Sequence, residues 1–84
     1  MTREKSASNY ELAQSALVQL KTAIFKALQA ATDEGLRNVD IGRALGIYQS
    51  HKGHEGHISR TLLAIMEAEG VVTQDKETKA WKLL

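Results

Sequence analysis

Three histidines at regular spacing are the residues of this sequence best suited to chemistry: His51, His54 and His57. Imidazole binds zinc and nickel well, so their H-x-x-H-x-x-H spacing first suggests a metal site. On a helix, however, the first and last of them would point about 240° apart, and Gly53 and Gly56 disfavour a helix through this stretch. The sequence also lacks cysteine, and Glu55 is the only carboxylate nearby. We therefore expect no metal and no other cofactor.

A second chemistry open to these histidines is phosphate binding. A protonated imidazole carries a positive charge and donates from both ring nitrogens, and histidine titrates near physiological pH. If His54 and His57 donate to phosphates in this way, binding weakens as the pH rises through the range where histidine titrates. Lys52 in the same loop and Arg43 before it are further candidates for phosphate contacts.

The residues after the histidines have the spacing of an amphipathic helix. From Ile58, apolar residues recur at i+4, i+7 and i+8, which places them on one side. The opposite side is the candidate working surface and carries four residues: His57, Arg60, Thr61 and Ala64. We predict a helix that begins at about His54 and ends before Gly70, a residue suited to the left-handed conformation that follows many helices.

Arg60 is the residue of this helix best able to read bases. Its planar guanidinium can pair with O6 and N7 of guanine in the major groove. Ser59 and Thr61 beside it can donate to phosphate or base. The simpler alternative for Arg60 is a surface salt bridge with Glu55 or Glu67, which needs no ligand at all.

The C-terminal residues 71–84 are predicted to form a hairpin. A hydrophobic run comes first, residues 75–79 have the composition of a turn, and Trp81 and Leu83 alternate with a lysine on the returning strand. Trp81 is expected to pack in the core rather than on a base, because it shares a strand face with an apolar neighbour.

Lysines of this hairpin are candidates for phosphate contacts. Lys76 and Lys79 lie at the predicted tip, and Lys82 lies on the returning strand. Asp75 and Glu77 interrupt the positive charge, so the alternative is a solvated turn with no role in binding.

The N-terminal part of the chain is predicted to form one long helix over residues 8–32. Residues 1–7 are polar and are expected to be a mobile tail, and Ser8 with Glu11 fits a capping box at the helix start. Apolar residues then recur at intervals of three or four: Tyr10, Ala13, Leu17, Leu20 and Ile24.

This predicted helix is longer than the domain that contains it. Roughly 23 residues span about 35 Å, whereas a chain of this size folds to a diameter of roughly 24 Å. The helix should therefore overhang, and we expect its apolar stripe to pair with a second copy in a homodimer. The alternative is a helix that breaks near its middle or is covered by its own domain.

A second, shorter helix is predicted between two turns. Asn38 can cap a helix that runs to about Leu45, with Ile41, Ala44 and Leu45 as its buried positions and Gly46 as its stop. A polar, glycine-flanked loop follows and leads to the histidines.

Composition limits the function classes. The chain has 84 residues, suited to one domain at residues 8–84, with 43% hydrophobic and 25% charged residues and a formal net charge of +1. Near-neutral charge argues against binding to any polyanion by bulk charge. The sequence has no cysteine, long apolar run or signal-peptide pattern, so we expect a cytoplasmic protein without a membrane role.

The order of these elements resembles the winged helix-turn-helix superfamily. The likeness covers residues 38–84 and is most specific at GHISRTLLAIMEAEGVV, residues 56–72, which is similar to the recognition helix and wing entry of small bacterial transcription regulators. It implies a mainly α fold with a small β-hairpin wing, an α+β class with three helices and a C-terminal sheet of two or three antiparallel strands. The helix-turn-helix would occupy residues 38–70 and the wing residues 71–84.

The resemblance also assigns roles and shows one departure. In such families the Ser-Arg start of this helix, here Ser59 and Arg60, faces DNA, and Leu36 falls where a short first strand often lies. Between Gly46 and Ile58, however, this chain has several residues more than a typical helix-turn-helix turn. The turn is therefore expected to be enlarged.

The patterns together favour sequence-specific binding of double-stranded DNA, with transcriptional regulation as the function that the resemblance implies. The alternative is a winged helix used for protein–protein interaction or as an adaptor, which the near-neutral charge and the acidic residues of the hairpin favour. Catalysis is not expected, because the sequence has no paired carboxylates, no glycine-rich phosphate loop and no nucleophile with a base.

Overall fold

The computed structural model describes residues 3–48, 53 and 55–84 of the chain, and side chains from residue 7 onward. Three helices precede a hairpin in the order α1 (Arg3–Ala30), α2 (Asn38–Ala44), α3 (His57–Ala68), β1 (Val72–Gln74) and β2 (Trp81–Leu83). This is a small α+β domain, as predicted. No helix in the described part of the chain is both long enough and apolar enough to span a membrane.

Helix α1 begins upstream of the predicted start. Its 28 residues run from Arg3, so the capping box at Ser8 and Glu11 is wrong, and the predicted tail is helical from Arg3 onward. The physical reason is that the residues before Ser8 include good helix formers and neither glycine nor proline, so nothing stops the helix there. The helix ends at Ala30, close to the predicted end, and Gly35 follows with φ of 77°.

The C-terminal half of α1 packs on the domain, and its N-terminal half does not. Ile24 and Leu28 are buried in the core, and Leu17 and Leu20 pack against it, whereas residues 7–16 are all exposed. At 1.5 Å per residue the helix is about 42 Å long, and the molecule measures 49 × 31 × 20 Å. The predicted overhang is therefore present.

Helix α2 is capped differently from the prediction. Arg37, not Asn38, is the N-cap residue, and its backbone N–H donates to Asp40 Oδ2 at 3.2 Å. Asp40 therefore closes the helix start from its third position, as in half of a capping box. The Asn38 side chain is left for another partner.

The predicted buried side of α2 is confirmed at Ile41 and in part at Leu45, which is half-buried against the core, but it is wrong at Ala44. Ile41 is fully buried, but Ala44 is exposed and Gly42 is buried instead. Gly42 lies at a close contact, because an added Cβ would stand 3.0 Å from Tyr48 Cβ and 3.1 Å from Ser59 Oγ. A glycine allows the loop and α3 to approach this side of the helix. Gly46 follows with φ of 70°, as expected for a stop.

Helix α3 begins at His57, later than predicted. Gly56 is its N-cap residue with φ of 80°, and Ser59, Leu62, Leu63 and Met66 form its buried side. The predicted stripe from Ile58 is wrong at its first position, because Ile58 is 41% exposed and Ser59 is 0% exposed. The buried hydroxyl is tolerated because it is hydrogen-bonded.

The end of α3 and the start of the hairpin follow the prediction. Gly70 has φ of 77°, its N–H donates to the Glu67 carbonyl at 3.0 Å, and the Val71 N–H donates to the Met66 carbonyl at 2.9 Å. This pair of bonds is a Schellman motif, which a left-handed glycine makes accessible.

The C-terminal hairpin is a two-stranded antiparallel sheet. Strands β1 and β2 pair with Val72 opposite Leu83 and Gln74 opposite Trp81. The predicted third strand is reduced to one bridge, in which Leu36 and Trp81 exchange backbone hydrogen bonds of 3.0 and 2.7 Å. Trp81 is 7% exposed and belongs to the core, as predicted.

Candidate nucleic-acid interface

Four exposed residues share the outer side of α3: His57, Arg60, Thr61 and Ala64. Their spacing of three and four residues places them along one helix face, opposite the buried Leu62 and Met66. The structure thus confirms their exposure and their common face. Two further predicted residues, Lys52 and His54, lie outside the described residues, as does His51.

The Arg60 guanidinium is not held by a carboxylate within the described residues. Its Nη2 donates to the backbone carbonyl of Glu55 at 3.3 Å, whereas the Glu55 carboxylate accepts from the Gly53 N–H at 3.0 Å. The two ion pairs in the described part of the chain involve other residues, so the salt-bridge alternative for Arg60 is absent there. The exposed guanidinium keeps N–H donors for a ligand.

A second basic residue, Arg43, lies outside α3 and contacts the aromatic ring of Tyr48. The Arg43 guanidinium carbon lies 5.2 Å from the centre of the Tyr48 ring, which is a cation–π distance. A Cβ built on Gly56 would be 3.3 Å from Tyr48 Cε1 and 3.7 Å from Arg60 Nη2. Tyr48 therefore contacts Arg43 and lies beside Gly56 together with Arg60, and we call Arg43, Tyr48 and Arg60 the basic–aromatic cluster.

Tyr48 is a candidate site residue that sequence reasoning missed. It stands in a polar loop, where no helical or strand periodicity marks it. The available signal was an aromatic residue soon after the helix stop at Gly46 and close in sequence to Arg43. Aromatic and basic side chains together are typical of nucleic-acid-binding surfaces, because one stacks and the other meets phosphates.

Ser59 does not belong to the exposed face. It is fully buried, and its hydroxyl lies 2.7 Å from Asn38 Oδ1 and 3.3 Å from the Gly56 carbonyl oxygen. The prediction that Ser59 contacts DNA is therefore wrong, because a group with no solvent exposure cannot meet a surface ligand. Its hydrogen bonds instead fix the start of α3.

Lysines of the hairpin are exposed but stand among acidic residues. Lys76, Lys79, Asp75 and Glu77 are all exposed around the turn. The Asp75 carboxylate accepts from the backbone N–H groups of Thr78 and Glu77, each at 2.8 Å, and these bonds lower its pKa. No described contact joins these lysines to the basic–aromatic cluster.

The residues predicted to form the dimer contact lie partly on the surface and partly in the core. Tyr10 is 67% exposed and Ala13 is exposed, but Leu17 and Leu20 are half-buried and Ile24 is 0% exposed. Ile24 is therefore a core residue, and its assignment to a dimer contact is wrong because its own domain covers it.

A second apolar surface of α1 lies beside the predicted dimer stripe. A groove of about 330 Å³ lies between α1 and the end of α3, and it is lined by Val18, Lys21, Thr22, Phe25, Met66, Glu69 and Val71. Lys21 and Glu69 form an ion pair of 2.9 Å between the two helices. Val18 and Phe25 are exposed large apolar side chains.

Comparison with protein-family models, with curated proteins and with solved structures found no significant match to this chain.

Proposed function

We propose that the protein is a winged helix-turn-helix DNA-binding protein that regulates transcription, with α3 as the helix that enters the major groove. The observation that supports this most is the basic–aromatic cluster beside the exposed start of α3. A helix presented by its N-terminus can bring side chains to base edges, while neighbouring cations and amides meet phosphates.

The residues have distinct roles in this proposal. Arg60 reads a guanine through its planar fork, and a bidentate pair of this kind is worth about 1–3 kcal/mol of discrimination between bases. Thr61 donates to base or phosphate, and Ala64 lets the helix approach closely. Arg43, steadied over the Tyr48 ring, meets a phosphate, as do His57 and the wing residues Lys76 and Lys79.

The proposal also includes a homodimer formed through the overhanging half of α1. Tyr10, Ala13 and Leu17 continue the core stripe of this helix beyond the domain that covers Ile24. Two such helices can bury this stripe against one another. A two-fold dimer would bind two half-sites of related sequence. A protein with this role acts where the DNA of a bacterial cell lies, in the cytoplasm.

A second candidate function is a protein–protein interaction module. The groove at Val18 and Phe25 favours it, because exposed apolar surface of this kind is typical of contact sites. The formal net charge of +1 also gives little general attraction to DNA.

Selection of bound sequences from a random pool of duplex DNA separates the two functions. The proposal predicts enrichment of a motif with guanine at an invariant position, and an inverted repeat if the protein is a dimer. Arg60→Ala should weaken binding to the selected site roughly tenfold or more and relax the preference at that guanine. Lys26→Ala removes one exposed positive charge from α1 and is the matched control. A pool without enrichment would contradict the proposal and leave the interaction module as the better candidate.

A further inference from the structure

A hydrogen-bonded pair of polar side chains, one buried and one half-buried, joins the start of α2 to the start of α3. Ser59 is the buried polar side chain of the described residues, with 0% exposure, and its Oγ lies 2.7 Å from Asn38 Oδ1. The other end of the same amide is also used, because Asn38 Nδ2 donates to the Gly56 carbonyl oxygen at 3.1 Å. Asn38, Gly56 and Ser59 therefore form one connected network, which we call the clasp.

Packing alone does not require these residue types. Alanine would occupy the Ser59 position without a buried hydroxyl, and a hydroxyl costs free energy to bury unless it is bonded. Asn38 is suited to the clasp because its amide offers an acceptor to Ser59 and a donor to the Gly56 carbonyl at the same time. The network orients the starts of α2 and α3 relative to one another, because its hydrogen bonds are all satisfied in one arrangement of the two helices.

The clasp acts on the turn that carries Arg60. Arg60 follows Ser59 in the chain, and its backbone N–H donates to the Gly56 carbonyl at 2.9 Å. Its side chain is tied to the same place, because Nη2 donates to the carbonyl of Glu55. The backbone N–H and the side chain of Arg60 are thus both hydrogen-bonded to backbone carbonyls in the clasp or next to it.

We propose that Asn38 and Ser59 are positioning residues, which fix the first turn of α3 and thereby direct Arg60 towards DNA. This inference rests on the proposed DNA-binding function. Neither residue touches the ligand, since Ser59 has no exposure and Asn38 is half-buried with its amide turned to Gly56. Their contribution to affinity comes from orientation, because a reading side chain that samples many directions loses entropy on binding.

The first measurement uses the free protein. Hydrogen exchange of the Arg60 amide, followed by NMR, should accelerate about tenfold in Asn38→Ala and in Ser59→Ala, because each removes hydrogen bonds that hold the first turn of α3. Ile24→Val trims a fully buried core residue of α1 outside the clasp and is the matched control. It should lower global stability without a selective change at Arg60. Unchanged exchange in both clasp variants would overturn the clasp itself, whatever the protein binds.

The second measurement uses the DNA site selected with the native protein. At a temperature where every variant is fully folded, Asn38→Ala and Ser59→Ala should each weaken binding about tenfold, and Ile24→Val should not. The double variant should be no weaker than either single one, because removing both partners leaves neither unsatisfied. Arg60→Ala should cost less affinity in the Ser59→Ala protein than in the native one, since Arg60 is no longer directed.

The outcomes distinguish this inference from the proposed function. If the native protein enriches no DNA, the proposed function fails, and the role in directing Arg60 fails with it even if exchange shows the clasp. If the native protein binds DNA but Arg60→Ala lowers the affinity equally in the native and the Ser59→Ala proteins, the DNA-binding function stands and the positioning role is wrong. Asn38 is only half-buried, so Asn38→Ala preserves a folded test protein if Ser59→Ala does not fold.

Discussion

The Tyr48 ring lies 5.2 Å from the Arg43 guanidinium carbon and stands beside Gly56 together with Arg60, so residues from three parts of the chain come together. A side chain at Gly56 would contact both Tyr48 and Arg60. The surface therefore carries one arginine on an aromatic ring and a second arginine near that ring. At the scale of residues, the candidate interface is defined by this contact rather than by net charge.

Tyr48→Leu tests the contribution of the ring. It removes the π face beneath Arg43, so DNA affinity should fall about two- to fivefold, the worth of an exposed cation–π contact. Titration of the selected duplex at fixed salt measures the change. Tyr48→Phe keeps the face and is the matched control, with affinity close to native. Equal losses in both variants would assign the effect to the hydroxyl and contradict the stacking role.

Gly56→Ala tests the backbone at the start of α3. The φ of 80° is unfavourable for alanine, and the new Cβ would stand 2.6 Å from Asn38 Nδ2. Gly70 has a similar φ of 77° but nothing within 4 Å of its Cβ position, so it is the control for the backbone effect alone. In urea unfolding, Gly70→Ala should cost about 1 kcal/mol and Gly56→Ala distinctly more. Equal losses in the free energy of unfolding of the two variants would show that the clasp accommodates the new Cβ without further destabilisation.

At the scale of elements, the hairpin turn is organised by one carboxylate. The backbone N–H groups of Thr78 and Glu77 donate to Asp75 Oδ1, and together they hold the Asp75 pKa below the ordinary aspartate range, with Thr78 as the largest cause. Lys79 has φ of 67° as the chain leaves this turn. Asp75 therefore belongs to the structure of the wing, whereas Lys76 and Lys79 are free to meet a ligand.

The lowered pKa of Asp75 predicts how the stability of the protein changes with pH. Because folding depresses the Asp75 pKa, the stabilisation is present above the ordinary aspartate value and is lost as the pH falls through the lowered folded value. NMR titration should show the depressed pKa directly. The stability difference between the native protein and Asp75→Asn should shrink as the pH falls through this range. Glu77→Gln removes a neighbouring charge and should not reproduce the effect; if it does, general charge explains the dependence.

At the scale of the whole molecule, α1 extends beyond the core it helps to form. Its C-terminal half is buried through Ile24 and Leu28, while residues 7–16 are exposed along their whole length. The exposed half continues the same apolar stripe, and the described domain does not cover it. We propose a second copy of the chain for this place.

Ala13→Glu tests the dimer. A charged side chain in the middle of the paired stripe would be desolvated, so a dimeric native protein should become a monomer in sedimentation equilibrium. Gln19→Glu adds the same charge at an exposed position on another side of α1 and should leave the mass unchanged. A native protein that is monomeric at the concentrations of DNA binding would contradict the dimer.

Most of the architecture could be predicted from local patterns. The Schellman motif at Gly70, the hairpin and the exposed face of α3 were predicted from residue types and spacing, because they depend on neighbours within a few residues. The helix start at Arg3 was missed because Ser8 offers a cap that the chain does not use. A possible cap marks a helix start only where something stops the helix before it.

Local residue patterns were enough to predict the three helices, the C-terminal hairpin and the exposure of Arg60, Thr61 and Ala64 on one side of α3. The burial of Ser59 instead of Ile58 could be seen only in the folded structure. It depends on Asn38 at the start of another helix, whose side-chain oxygen accepts a hydrogen bond from the Ser59 hydroxyl. The contact of Tyr48 with Arg43 and its position near Arg60 also depend on how the elements pack. Periodicity describes which side of a helix is apolar, whereas contacts between distant residues depend on how the helices pack.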